Sequence, residues 1–301
     1  MTTARPLTAL QAIQVRYHSH RFVGDPQRAL QTYRSQNVYA AAGVPVHLSE
    51  PATPPGHDEE APYLQLGALG GAIAESTAQG LRAGRAALMV GGNCSHAPGV
   101  LGGLQDAFSP GARIGLLWMD AHGDLNTPST TLTGNLGGIP VAVCAGWGYG
   151  AWRNRAHIRA PLPTDHILLV DVRNLDPAEE TLIAATDLTV AAPAPGYPGQ
   201  DLGPAVARLA DRVDLIYLHI DADVLDGPLM PNHPNSEPDG PSLAQTLAAV
   251  ECVMATGKVA AFAVVSVYFE GRSDETDLAS GVALVRGGLN AWRRYGCPEH
   301  L

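Results

Sequence analysis

A three-layer α/β/α fold around a mostly parallel sheet is what this 301-residue sequence predicts, and three observations carry the prediction. Short aliphatic and β-branched runs closed by Gly, Asp or Pro recur along the chain. Longer stretches with apolar residues at helical spacing stand between them, and no internal repeat interrupts the alternation. The strands fall at 12–15, 86–90, 114–119, 167–170, 215–220 and 259–267. The helices fall at 66–83, 204–212, 242–255 and 277–294, the first carrying several glycines that weaken its signal. Pro-rich stretches at 51–57 and 193–199 read as surface loops too short to be linkers, so residues 1–301 are expected to form one domain.

Composition narrows the class. At 46% hydrophobic residues the chain can bury a sizeable core, yet no window reaches the ~18 uninterrupted apolar residues of a membrane span. The first ten residues lack the basic-then-apolar layout of a signal peptide. No membrane partner and a cytoplasmic location are the expectation. Cys94, Cys144, Cys252 and Cys297 are too few and scattered for a disulfide framework and read as reduced thiols. A net charge of −10, with no Lys/Arg-rich run, excludes nucleic acid as a partner.

The chemistry concentrates just after strands, the edge at which parallel sheets bind ligands. In Trp118-Met-Asp120-Ala-His122-Gly-Asp124, three polar side chains follow an apolar strand at spacing two, which in extended backbone points them to one side. Two carboxylates and an imidazole converging there repel and lose solvation unless a divalent cation joins them. The second segment, His219-Ile-Asp221-Ala-Asp223-Val-Leu-Asp226, repeats the spacing after an apolar strand. Four carboxylates and one histidine are the donors of a carboxylate-bridged pair of hard or borderline ions, whereas zinc alone usually asks for more nitrogen or sulfur. The third, Val90-Gly-Gly-Asn93-Cys94-Ser-His96, is a strand followed by a turn whose glycines admit a close approach of backbone.

These three segments, in this order, resemble the ureohydrolase superfamily of arginases, agmatinases and formiminoglutamases. The run from Asp120 through Asn126, Thr131 and Thr133 to Asn135 is similar to the arginase branch in particular. The resemblance implies an arginase-like fold, a homo-oligomer (trimer or hexamer), and two manganese ions per subunit. It implies that Asp120 and Asp221 bridge the ions, that Asp124 binds one, and that His122 and Asp223 bind the other. A hydroxide between the ions would attack a guanidino or amidino carbon, and an amine would leave. Asn126, Thr133 and Asn135 match the family's contacts to an amino-acid carboxylate, and Asp176, with Glu179 in the same Asp-Pro segment, matches its ammonium contact.

Three positions depart from the family. Cys94 stands where arginases place a metal-binding histidine; a thiolate there is a soft ligand that opens the site to cobalt, zinc, iron or nickel. Gly137 replaces the histidine that shuttles a proton, leaving His233 as the nearest acid–base candidate in sequence. Ser266 falls where a glutamate grips the guanidinium, with Glu270 a short step beyond. Two readings stay open: a metal-dependent hydrolase of the C–N bond of an arginine derivative such as Nω-hydroxyarginine, or a catalytically inactive metal-binding homologue with a regulatory or binding role.

Overall fold

Side chains along the central strands alternate between two apolar cores, and this decides the layering. In a computed structural model describing residues 4–22, 28–52, 59–267 and 275–299, eight strands form one sheet. They are β1 (Leu10–Val15), β2 (Val46–Ser49), β3 (Ala86–Gly91), β4 (Ile114–Met119), β5 (Ile167–Val170), β6 (Thr189–Ala191), β7 (Leu215–Asp221) and β8 (Val259–Val265). Their order is β2-β1-β3-β8-β7-β4-β5-β6, every pair parallel.

Leu88, Val90, Leu117, Met119, Leu218 and Ile220 face one side of the sheet, against α1 (Arg28–Ser35), α7 (Leu202–Arg212), α8 (Leu243–Met254) and α9 (Glu275–Tyr295). Met89, Leu116, Trp118 and Tyr217 face the other, against α2 (Pro62–Arg82), α3 (Ala97–Ala107) and α4 (Pro140–Ala145). Two further helices, α5 (Gly150–Arg155) and α6 (Pro177–Ala184), complete the set. Because both faces are covered, the strands read as unbroken apolar runs.

The expected α/β/α fold is present, with instructive differences. The helix expected over 66–83 begins at Pro62, and its glycines mark contacts. A Cβ on Gly99 would lie 2.6 Å from the Gly70 carbonyl oxygen, and one on Gly103 would lie 2.4 Å from Thr77 Cβ, so α2 and α3 meet backbone to backbone. The strand expected to reach residue 267 stops at Val265, because Ser266 adopts a left-handed φ of 61°. Among the described residues no helix is long and apolar enough to cross a membrane.

Candidate metal centre

Four central strands, β3, β8, β7 and β4, end side by side, and their C-terminal turns form the floor of a cavity of about 590 Å³. The cavity is lined by every expected site residue within the described part of the chain: Cys94, Asp120, His122, Asp124, Asp221, Asp223, Asn126, Thr133, Asn135, Asp176, Glu179 and His233. Gly137 and Ser266 line it too. Glu270 lies outside the described residues.

The β3 turn uses Gly91 and Gly92 at φ 77° and 67°, conformations that favour glycine. A Cβ on Gly92 would also lie 2.5 Å from His96 Nδ1. His96 is the anchor of this turn rather than a ligand: its Nδ1 accepts from the Asn93 amide at 3.0 Å, and its Nε2 lies 3.0 Å from the Ser19 carbonyl oxygen. Burial lowers this imidazole to about 4. The result is to project Cys94 Sγ inward, 2.9 Å from Asp221 Oδ2 and 3.5 Å from Asp120 Oδ2.

Asp120, His122 and Asp124 do converge, for a reason other than strand pleat. Strand β4 ends at Met119, and the chain then turns, with the His122 amide donating to Asp120 Oδ1 at 2.7 Å and Asp124 at φ 50°. His122 Nδ1 lies 3.3 Å from Asp120 Oδ1 and 3.2 Å from Asp223 Oδ2. Asp223 likewise sits in a helical turn, its amide donating to Asp221 Oδ1 at 3.0 Å. Ser266 Oγ donates to Asp221 Oδ2 at 2.6 Å. His233 is buried beside both carboxylates, Nε2 3.6 Å from Asp221 Oδ1 and Nδ1 3.7 Å from Asp223 Oδ2.

Three donor groups sized for a cation result: Cys94 with Asp120 and Asp221, Asp120 with His122 and Asp223, and Asp221 with Asp223 and His233. Among the described residues no Lys or Arg lines the cavity. Burial raises Asp124 well above the carboxylate range, with Asp120 adding to it, and raises Asp221 to about 6, with Asp223 adding to it. Burial alone would lower His122, but Asp120 and Asp223 reverse this and hold it near 12. Asp120 and Asp223 thus favour positive charge at this position, and the hard oxygen-rich donor set suits divalent metal.

A pH test follows from the sign of these shifts. Raised in the folded state, Asp221 contributes stability that is full below the ordinary value of about 4. That contribution is lost as pH rises through about 6. Metal needs the ionised form, so its binding strengthens over the same interval. In chelator, the melting temperature of the wild type relative to an Asp221→Asn variant should fall as pH rises through about 6, while the increment given to the wild type by manganese grows. An increment independent of pH there would contradict the ligand assignment.

At the outer wall, α6 begins with a capping box in which Glu179 accepts from the Asp176 amide at 2.9 Å and from the Leu125 amide at 2.8 Å. Glu179 therefore ties α6 to the loop after β4. Asn126 Nδ2 donates to Asp176 Oδ2 at 2.8 Å, so the two expected substrate contacts touch each other. Asn135 Oδ1 accepts from the Gly137 amide at 2.9 Å.

Sequence reading missed three contributors. Glu237 Oε1 lies 3.6 Å from His122 Nε2 and accepts from Asn174 Nδ2 at 2.6 Å. Arg173 pairs with Asp171 and donates to the carbonyls of Asp223, Val224, Leu225 and Glu237, pinning the loop after β7. His219, fully buried, stacks on Trp118 with centroids 3.9 Å apart. Burial lowers His219 to about 3, so it is neutral. Its spacing of two from Asp221 was the available signal.

The profile described as "Arginase family" matches residues 6–286. The chain belongs to the arginase family. Arginase of Bacillus caldovelox is 31% identical over 160 residues, 51% of this chain and 52% of the relative. Arginase of Brevibacillus brevis is 30% identical over 48% of this chain and 49% of the relative. The chain thus spans about half the length of the curated relatives it matches. In fold the likeness is wider. Arginase from Bacillus cereus superposes with a TM-score of 0.80 at 20% identity, covering 94% of this chain and 98% of its own. Entamoeba histolytica arginase in complex with L-ornithine gives 0.81 at 18% identity, covering 94% and 99%. Formimidoylglutamase from Bacillus subtilis gives 0.67 at 16% identity, covering 96% and 88%.

Proposed function

We propose that this family member is a metal-dependent hydrolase of the C–N bond in a guanidino or amidino amino acid, with two manganese ions per subunit. The observation that carries the reading is the convergence of four buried carboxylates and His122 on one cavity floor, beside the Asp176–Asn126 pair. In this reading Asp120 and Asp221 would serve both ions, Asp124 and Cys94 would complete the donors for one, and His122 and Asp223 would complete those for the other. When bound, two ions supply a hydroxide nucleophile near neutral pH.

The remaining roles belong to side chains. Asp176 accepts the substrate ammonium, and Asn126, Thr133 and Asn135 donate to its carboxylate, orienting the reacting carbon toward the floor. His233 is the proton donor to the leaving amine, since its imidazole already lies beside Asp221 and Asp223. The L-ornithine found in the Entamoeba arginase supports an amino-acid end of this kind.

Metal content measured beside hydrolysis of a panel of guanidino and amidino acids tests the proposal. Metal uptake with no hydrolysis of any member would favour an inactive binding homologue. Within the panel, an amino acid should exceed its decarboxylated amine in kcat/KM by roughly 10–100-fold, because removing one charged partner leaves a buried polar group unpaired at about 1.5–3 kcal/mol. Equal turnover of the two would remove Asn126, Thr133 and Asn135 from the substrate site as carboxylate contacts.

A further inference from the structure

Strand β7 sets Tyr217, His219 and Asp221 at spacing two, on one face of the sheet. Tyr217 and His219 are both 0% exposed, and no step of the proposed reaction uses either. The Tyr217 hydroxyl lies 3.0 Å from His219 Nδ1, and His219 Nε2 lies 3.3 Å from Cys94 Sγ. A buried phenol hydroxyl must donate. Its partner here is Nδ1, which as an acceptor leaves the proton of the neutral imidazole on Nε2, aimed at the sulfur. A neutral thiol is a weak acceptor, a poor match for the N–H of a fully buried ring. On its other side, Cys94 Sγ directs its own proton to Asp221 Oδ2 at 2.9 Å, into the cation site.

We propose that Cys94 is a thiolate ligand of the metal centre and that the file Tyr217–His219 positions it, through an N–H···S hydrogen bond from the side away from the metal. The proposal rests on the metal-centre reading above, and it makes the two metal positions unequal: one receives sulfur, the other only nitrogen and oxygen. The aspartates and His122 form a hard set, so the sulfur-bearing position is the one that accepts borderline metals such as cobalt or zinc. His219 does not itself bind; it fixes the sulfur's direction and withdraws electron density from it, as partners of metal ligands do.

Cobalt replacement of the bound metal reads this directly, because thiolate bound to cobalt gives a near-ultraviolet charge-transfer band that carboxylate and imidazole do not. The wild-type protein should take up cobalt with that band, and Cys94→Ser should keep cobalt but lose the band. His219→Phe preserves the stack on Trp118 while removing the N–H donor. It should shift the band to longer wavelength and weaken cobalt at that position by roughly 10–100-fold. Tyr217→Phe, the milder change, should shift it in the same direction, and it decides the matter if His219→Phe does not fold. Cobalt bound by wild type without the band overturns the proposal and takes Cys94 out of the ligand set, leaving the carboxylates and His122 to hold the metal. A band unmoved in both aromatic variants overturns the role of His219 and Tyr217. No cobalt uptake at all overturns both readings, whereas a normal band in a protein that hydrolyses nothing overturns only the proposed reaction.

Discussion

Asp221→Asn should leave the protein folded but without its metal, and its hydrolytic activity should fall at least about 10³-fold, since metal stabilisation of the transition state is worth several kcal/mol. The argument starts from what Asp221 does in the metal-free chain. Its carboxylate accepts from Ser266 Oγ, Cys94 Sγ and the Asp223 amide, in a buried setting that raises it to about 6. Neutralising it removes a penalised charge and disturbs one or two hydrogen bonds, effects of opposite sign and each about 1 kcal/mol. Stability in chelator should therefore change by no more than about 1–2 kcal/mol. The increment in melting temperature given by manganese should vanish, because that increment measures binding to the folded state alone. Asp120→Asn should behave alike. Manganese stabilising either variant as much as the wild type would sink the assignment, and the chelator control separates this from misfolding.

The legible parts of this protein were those written in local pattern. Strands β3, β4, β5 and β7 are apolar on both faces because both faces are covered, so composition alone marks them. The ends of these strands were legible too, because Asp and His after a buried strand are too costly to stand without a partner. The geometry was not. Spacing two selected Asp120, His122 and Asp124, yet a turn with a left-handed Asp124 brings them together, a backbone state that residue type does not announce. The same rule, applied one turn of pleat earlier, would have found His219 and Tyr217, which look like core until Cys94 arrives from another strand. Helices α3 and α6 went unread for different reasons. Gly99, Gly102 and Gly103 hide the first behind poor propensity that tertiary packing overrides, and the second is eight residues long and set by a capping box. Arg173 pins a loop distant in sequence, and nothing local marks it.

L-Arginine should be a poorer substrate than an Nω-hydroxyarginine-like or formimino compound, and Gly137→His should narrow the gap. Three features of the cavity combine. Gly137 lines it without a side chain, so the position to which the family resemblance gives a proton-shuttling histidine offers no acid or base. Ser266 has no charge to offer a guanidinium, and its hydroxyl is committed to Asp221. Losing a charge-assisted hydrogen bond there removes roughly 1.5–3 kcal/mol of preference for a fully cationic head group. Losing the shuttle removes roughly 10²–10⁴-fold from a reaction that must expel a strongly basic amine from a strongly basic guanidine, and less from one with a less basic amidine or a less basic leaving group. The backbone can accept the repair: a Cβ at Gly137 would meet only the Asn135 side chain, nearest at Oδ1 3.2 Å away, which need give by no more than a few tenths of an ångström. Gly137→His should raise kcat for arginine by at least about tenfold while leaving the preferred substrate level or slower. Histidine at position 94 is a separate matter, because Cys94 Sγ already stands 3.3 Å from His219 Nε2 and an imidazole there collides with it. Cys94→His should therefore help only when combined with His219→Ala, and the combination with Gly137→His should give the largest gain on arginine. Wild-type protein that hydrolyses arginine faster than either alternative, with no gain from Gly137→His, would refute the retuned-substrate reading.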